Sequence, residues 1–270
     1  MEEKSVDIKK VLELLEGQEK LVAMIAPSFP VDFSYPEIVG KLKRLGFEFV
    51  VEVSLGAMEV NKKLLELVCE NPKKRYITSP CPVIVRLIRQ KYPRLIKFLT
   101  PNPSPMIETA KIVNQKYPEH KPVFIGPCIA KKLEASEDYP ELGVIVLTYR
   151  ELSEIFKEKE IKKNEKDFFA SFDLIGPKTR LYPISGGLSQ SAGITENMVD
   201  EEYDVISGIE RVLKVLDEFE ANQRLKILDI LNCDGGCLSG PGVISKLSID
   251  KKREKIITHW ASTASNQGKD

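Results

Sequence analysis

The sequence predicts an α/β fold of two lobes, each built on a mainly parallel sheet flanked by helices. Short apolar runs of strand length alternate with segments of helical period along most of the chain. The first two runs frame a complete strand, helix, strand unit. The 270 residues, 42% of them apolar, are enough to bury a large core. In order, Ser5 suits an N-cap, Ile8, Val11, Leu12 and Leu15 share one helix face, and Gly17 is the stop. Leu21 to Ala26 and Phe47 to Val53 read as buried strands. The helix between them is opened by Pro36, striped by Ile38, Leu42 and Leu45, and closed by Gly46. Further strands are expected at Tyr76 to Ser79, Val123 to Gly126, Val144 to Leu147, Tyr203 to Ser207 and Ile227 to Leu231. Ser104 and Pro105 mark the start of a helix that crosses from one sheet to the next. Capping boxes are expected at Thr148 with Glu151 and at Ser207 with Glu210. Lys157 to Lys166 reads as a solvated helix end or loop, and Ala261 to Asp270 as a frayed end.

The 40 basic and 40 acidic residues cancel, and no long basic block appears. Neither a nucleic acid nor an anionic membrane surface is therefore an expected partner. Met1-Glu2-Glu3-Lys4 leads directly into an amphipathic pattern, with no signal peptide and no apolar span of membrane length. A cytoplasmic protein is expected.

Five cysteines make a poor disulfide framework. Four of them, Cys81, Cys128, Cys233 and Cys237, sit in Pro- or Gly-rich turns, and three of these turns directly follow an expected strand. Ligand crevices in open α/β sheets lie beyond the carboxyl ends of strands, so these thiols are expected to converge there. Gly235 and Gly236 would let the loop between Cys233 and Cys237 turn tightly against a bulky group. Pro82 suits the first position of a helix whose dipole stabilises a Cys81 thiolate. Four thiolates suit zinc or an iron–sulfur cluster. The absence of paired C-x-x-C knuckles favours iron–sulfur, with four unconnected cysteines as the plainer alternative. Cys69, among Leu64, Leu65, Leu67 and Val68, is expected to be a small buried apolar residue apart from the site. His120, His259 and Trp260 are expected to pack or face solvent. Gly186-Gly187 reads as a turn.

Thr78-Ser79-Pro80-Cys81-Pro82, Pro127-Cys128-Ile129-Ala130-Lys131-Lys132-Leu133-Glu134 and Cys233-Asp234-Gly235-Gly236-Cys237 resemble, in order, the T-S-C-C-P, P-C-x-x-K-K-x-E and C-x-G-G-C motifs of the iron-only, or [FeFe], hydrogenases. The resemblance covers most of the chain and is closest to divergent, sensory members. It implies a single domain over 1–270, with approximate lobes 1–110 and 111–205 and with 206–270 completing a cluster site in the cleft between them. It also implies that Cys81, Cys128, Cys233 and Cys237 hold a [4Fe-4S] cluster. Cys237 would bridge to a diiron subcluster carrying CO and cyanide. Lys131 would donate to a cyanide, and Glu134 would belong to a proton path or pair with Lys131. H2 and protons would be ligands or substrates, and a redox or signalling protein the partner.

The resemblance breaks on the proton side. Pro80 stands where the family carries its proton-donating cysteine, and Lys63 and Leu64 align with an acidic relay pair. The expected function is therefore a redox- or hydrogen-sensing regulator with an impaired relay. A slow hydrogenase and a [4Fe-4S]-only structural or assembly protein are the alternatives.

Overall fold

The computed structural model describes residues 5–264. The expectation of a frayed end falls mostly on residues outside that range. Along the chain run α1 (Val6–Glu16), β1 (Leu21–Ile25), α2 (Glu37–Leu45), β2 (Phe49–Glu52), α3 (Ser54–Glu70), β3 (Tyr76–Ile77) and α4 (Pro82–Lys91). Then come α5 (Pro105–Lys116), β4 (Lys121–Gly126), α6 (Ala130–Leu133), β5 (Ile145–Thr148) and α7 (Tyr149–Glu158). The last third holds α8 (Gly187–Ser191), α9 (Ile194–Asn197), β6 (Tyr203–Ser207), α10 (Ile209–Glu218), β7 (Ile227–Leu231) and α11 (Ile249–Ala264).

Every expected strand is present, and all pair in parallel. One sheet has the order β2-β1-β4-β5, the other β3-β7-β6. Strands β1, β4 and β5 are buried almost throughout, the burial of a parallel sheet covered on both faces by helices. Residues Ile77, Ile84, Ile88, Val212, Leu216 and Leu228 form a separate core for the second sheet. The lobes are not successive stretches of chain. β3 leaves the first half of the sequence to join β6 and β7, while β4 and β5 return to the first sheet. The division at 110 therefore does not follow the sheets. Helix α5 makes the expected crossing, running from β3 of one sheet to β4 of the other.

Local signals behave as their chemistry dictates at most ends. Ser5 Oγ accepts the N–H of Ile8, and Thr148 with Glu151 forms a full capping box. The box expected at Ser207 does not form. Ser207 is the last residue of β6, and Gly208, with φ +93°, takes the N-cap of α10. Ser104 occupies the N-cap of α5 without a side-chain bond to the first turn, where Pro105 supplies no N–H.

Candidate metal centre

Cys81 stands at the N-cap of α4 in extended conformation, with Pro82 in the first turn. Ser79 anchors this turn to the following loop. Its Oγ lies 2.6 Å from Thr100 Oγ1 and donates to the Asn102 carbonyl at 2.7 Å. Cys128 leaves β4 through Pro127, whose carbonyl accepts the N–H of Gly242 at 2.8 Å.

Cys233 and Cys237 bound the loop after β7. A Cβ at Gly236 (φ +99°) would lie 2.4 Å from the Pro183 carbonyl oxygen, so glycine is required there. The Cys237 N–H donates to that same carbonyl at 2.8 Å, and the Ser185 N–H donates to Gly235 at 3.2 Å. Ser207 Oγ accepts the Gly235 N–H at 3.2 Å. The hydroxyl read as a helix cap thus holds the cysteine loop. The turn before Gly186-Gly187 backs it through a single antiparallel bridge between Ile184 and Gly236, and buried Arg180 nearby donates from Nε to Glu52 at 2.8 Å.

The four thiols feel one another. Burial first, then Cys81 and Cys128, pushes the Cys233 thiol up to about 11. Burial and all three other cysteines push Cys237 well above its usual range, with Lys131 opposing. Cys128 is raised by burial, and Lys131 and the N–H groups of Ala130 and Lys131 work against that. Four mutually repelling thiolates are stable together only around a cationic core, and binding one releases their protons. Among the described residues, no three His, Cys, Asp or Glu side chains are grouped to chelate a single ion. Around one zinc at 2.3 Å, tetrahedral thiolates would stand about 3.8 Å apart. A cubane core of several irons, each taking one thiolate, accepts ligands spaced more widely than one zinc does.

Beside Cys237 lies an apolar cavity of about 80 Å³, lined among others by Pro80, Met106, Phe124, Lys131 and Tyr182. Lys131 is the cationic group in its wall. Its buried ammonium donates to Glu134 Oε2 at 2.6 Å and reaches the Pro80 carbonyl at 3.4 Å. Both readings of Glu134 began from that position, and the pair with Lys131 is formed. Tyr182 was not singled out in the sequence. Its hydroxyl donates to Asn61 Oδ1 at 3.0 Å, and nothing but this tertiary contact marks it.

On the proton side, Lys63 pairs with buried Glu108 at 2.8 Å, and Leu64 is core. Cys69 is exposed, not buried as expected, because it falls on the solvent side of the last turn of α3. His120 bonds Glu48 and packs on Phe49 and Tyr117. His259 is buried against Phe29 and Tyr35, and burial lowers its pKa to about 4.

Fold and site define a class: a two-lobed parallel α/β protein with four mutually influencing thiols on strand-end loops, beside a small apolar cavity. The chain belongs to the family described as iron only hydrogenase large subunit, C-terminal domain, whose model matches residues 19–241. It is at that level an iron–sulfur, hydrogenase-like protein. It is 24% identical over 319 aligned positions to iron hydrogenase 1 of Clostridium pasteurianum, covering 92% of this chain and 55% of that protein. It is also 24% identical over 186 positions to the cytosolic Fe-S cluster assembly factor NAR1 of Encephalitozoon cuniculi, covering 62% of this chain and 51% of that one. The chain thus spans about half the length of these curated relatives. A structure of a variant of the [FeFe]-hydrogenase HydA1 from Chlamydomonas reinhardtii shares the fold, with TM-score 0.69 and 18% identity over 93% of this chain and 88% of that one. Among the described residues, no helix is long and apolar enough to cross a membrane.

Proposed function

We propose that Cys81, Cys128, Cys233 and Cys237 hold a [4Fe-4S] cluster, and that Cys237 joins it to a diiron subcluster in the adjoining cavity. On this reading the protein is a redox- or hydrogen-responsive regulator rather than a fast hydrogenase. The observation that carries the proposal is the contrast around one cavity. Cys128 and Cys237 line it, with Cys81 and Cys233 near enough to raise the Cys237 thiol, while its wall has Pro80 where the resemblance puts a proton-donating cysteine. Such a cluster, when bound, supplies electron transfer at a potential set by its surroundings. The chain's own groups do the rest. Lys131 presents a charge-assisted donor to anionic ligands in a dry wall, and Glu134 orients it. Proline offers no proton, and losing general acid help costs about 10²–10⁴ in rate. A redox or signalling protein is the partner this reading requires, with H2 and protons as ligands or slow substrates.

The cubane-only reading draws on the likeness to the assembly factor. Infrared spectra of anaerobically matured protein separate the two. CO and cyanide bands with slow hydrogen turnover support the regulator. Iron and sulfide without those bands support the cubane-only protein, and turnover at ordinary hydrogenase rates overturns the regulatory role.

A further inference from the structure

Three of the four thiols differ in what they accept from the protein around them. Cys81 stands at the N-cap of α4 and takes no hydrogen bond from the first turn. Cys128 accepts the backbone N–H groups of Ala130 and Lys131, donors that any sequence folded this way would supply. Cys233 is different. Its Sγ lies 3.9 Å from Nδ2 of Asn232, at the long end for an N–H bond to sulfur. The donor there is a side chain, so it depends on which residue stands at position 232 and not on the path of the backbone.

Asn232 directly follows the last residue of β7, and both it and Cys233 are half-buried. Partial burial lowers the local dielectric and strengthens such a contact. Asp234, next in the loop, pairs with Arg211, so the tip of the loop adds no net charge. Charge also decides how the amide turns. Its oxygen is repelled by a thiolate, whereas its N–H is attracted and draws closer.

Resting on the reading of a cubane at these cysteines, we propose that Asn232 raises the potential of that cluster and so sets the reducing threshold at which the protein responds. One electron from a reducing partner protein adds a negative charge to a cluster that is already anionic, and no bond is made or broken. Part of that charge falls on the cysteine sulfurs, where an N–H donor stabilises it. The reduced form gains more from the donor than the oxidised form does, and the potential rises.

The first arm of the test is a crystal structure of the full metal-free chain. The Asn232 amide is expected in contact with Cys233 Sγ, and an amide turned away overturns the proposal whatever the metal content. The second arm is a potentiometric titration of the reconstituted iron–sulfur protein, with dithionite as the reductant. Asn232→Leu keeps the size and removes the donor. It is expected to disfavour reduction about tenfold, a drop of about 59 mV for one electron, at unchanged iron content. Asn232→Ala, which cannot overpack, should shift the potential in the same direction, and Asn232→Gln, which keeps a donor, should fall between. Electron–nuclear double resonance of the reduced protein in H2O and D2O should show one exchangeable-proton coupling that the Leu variant lacks. A shift in potential without that loss assigns the effect to side-chain polarity and overturns the bond. Equal potentials in the wild type and the Leu and Ala variants overturn the tuning and leave the cluster reading standing. Failure of the wild-type chain to bind iron and sulfide overturns the cluster reading, and the tuning with it.

Discussion

The cavity beside Cys237 has two walls of different character. The ligand wall is over-determined. The Cys233–Cys237 loop is held by the Pro183 carbonyl, by Ser185, by Ser207 and by a glycine that no other residue replaces. The opposite wall is largely apolar, with Pro80 where the resemblance puts a proton-donating cysteine and Met106 beside it. Without a metal these thiols stay protonated, and the cost of gathering them appears only when they must ionise.

The strongest way to break this contrast is to remove a ligand. Cys81→Ala, Cys128→Ala, Cys233→Ala or Cys237→Ala should each lower bound iron and sulfide severalfold or abolish them, measured after anaerobic reconstitution. Full occupancy in any one of the four would remove that residue from the ligand set. Next in size is the loop itself. Gly236→Ala places a Cβ 2.4 Å from the Pro183 oxygen at φ +99°. It should destabilise the fold by about 1–3 kcal/mol and reduce cluster retention, both readable in denaturant titrations with and without iron.

A pH experiment sharpens the ligand wall further. The Cys233 thiol titrates at about 11 in the metal-free fold, with Cys237 raised as well, against about 8.5 in an unfolded chain. Between those values the folded state holds more protons, so stability falls as pH rises. The melting temperature of metal-free protein should drop above about pH 9, where Cys233→Ala and Cys237→Ala variants drop less. A flat profile through pH 10.5 would count against the crowding of thiols described above.

A smaller effect is expected on the opposite wall. Pro80→Cys restores one thiol but leaves Lys63 paired with Glu108. Stations of a relay act together, so hydrogen turnover should rise only slightly. Recovery to ordinary hydrogenase rates would make Pro80 the whole reason for the difference between the walls. The smallest effect belongs to Cys69→Ala, which should leave iron content unchanged because the thiol lies exposed near the end of α3.

Much of this was legible in the chain. All seven strands stand where short apolar runs placed them, since a strand buried on both faces needs little beyond its own residues to declare itself. The four cysteines proposed as ligands were marked by their turns and by motif order. What escaped the sequence is long-range. Nothing local says that β7 lies between β3 and β6, or that Ser207 serves a loop 28 residues away. Periodicity also misplaced Cys69. An apolar neighbourhood in sequence does not fix which side of a helix turns outward at its end, where α3 has little left to pack against. The Lys63–Glu108 pair joins two helices and is invisible until they are docked.

The interleaving of the two sheets has a consequence for how the protein is made. Cys81 and Cys128 emerge from the ribosome well before β7, the strand that sits in the middle of the second sheet and carries Cys233 and Cys237 beyond its end. Until that strand arrives, β3 and β6 have no partner and half of the thiols are missing. The second sheet and the full set of four thiols are thus completed together, by the last strand to be made.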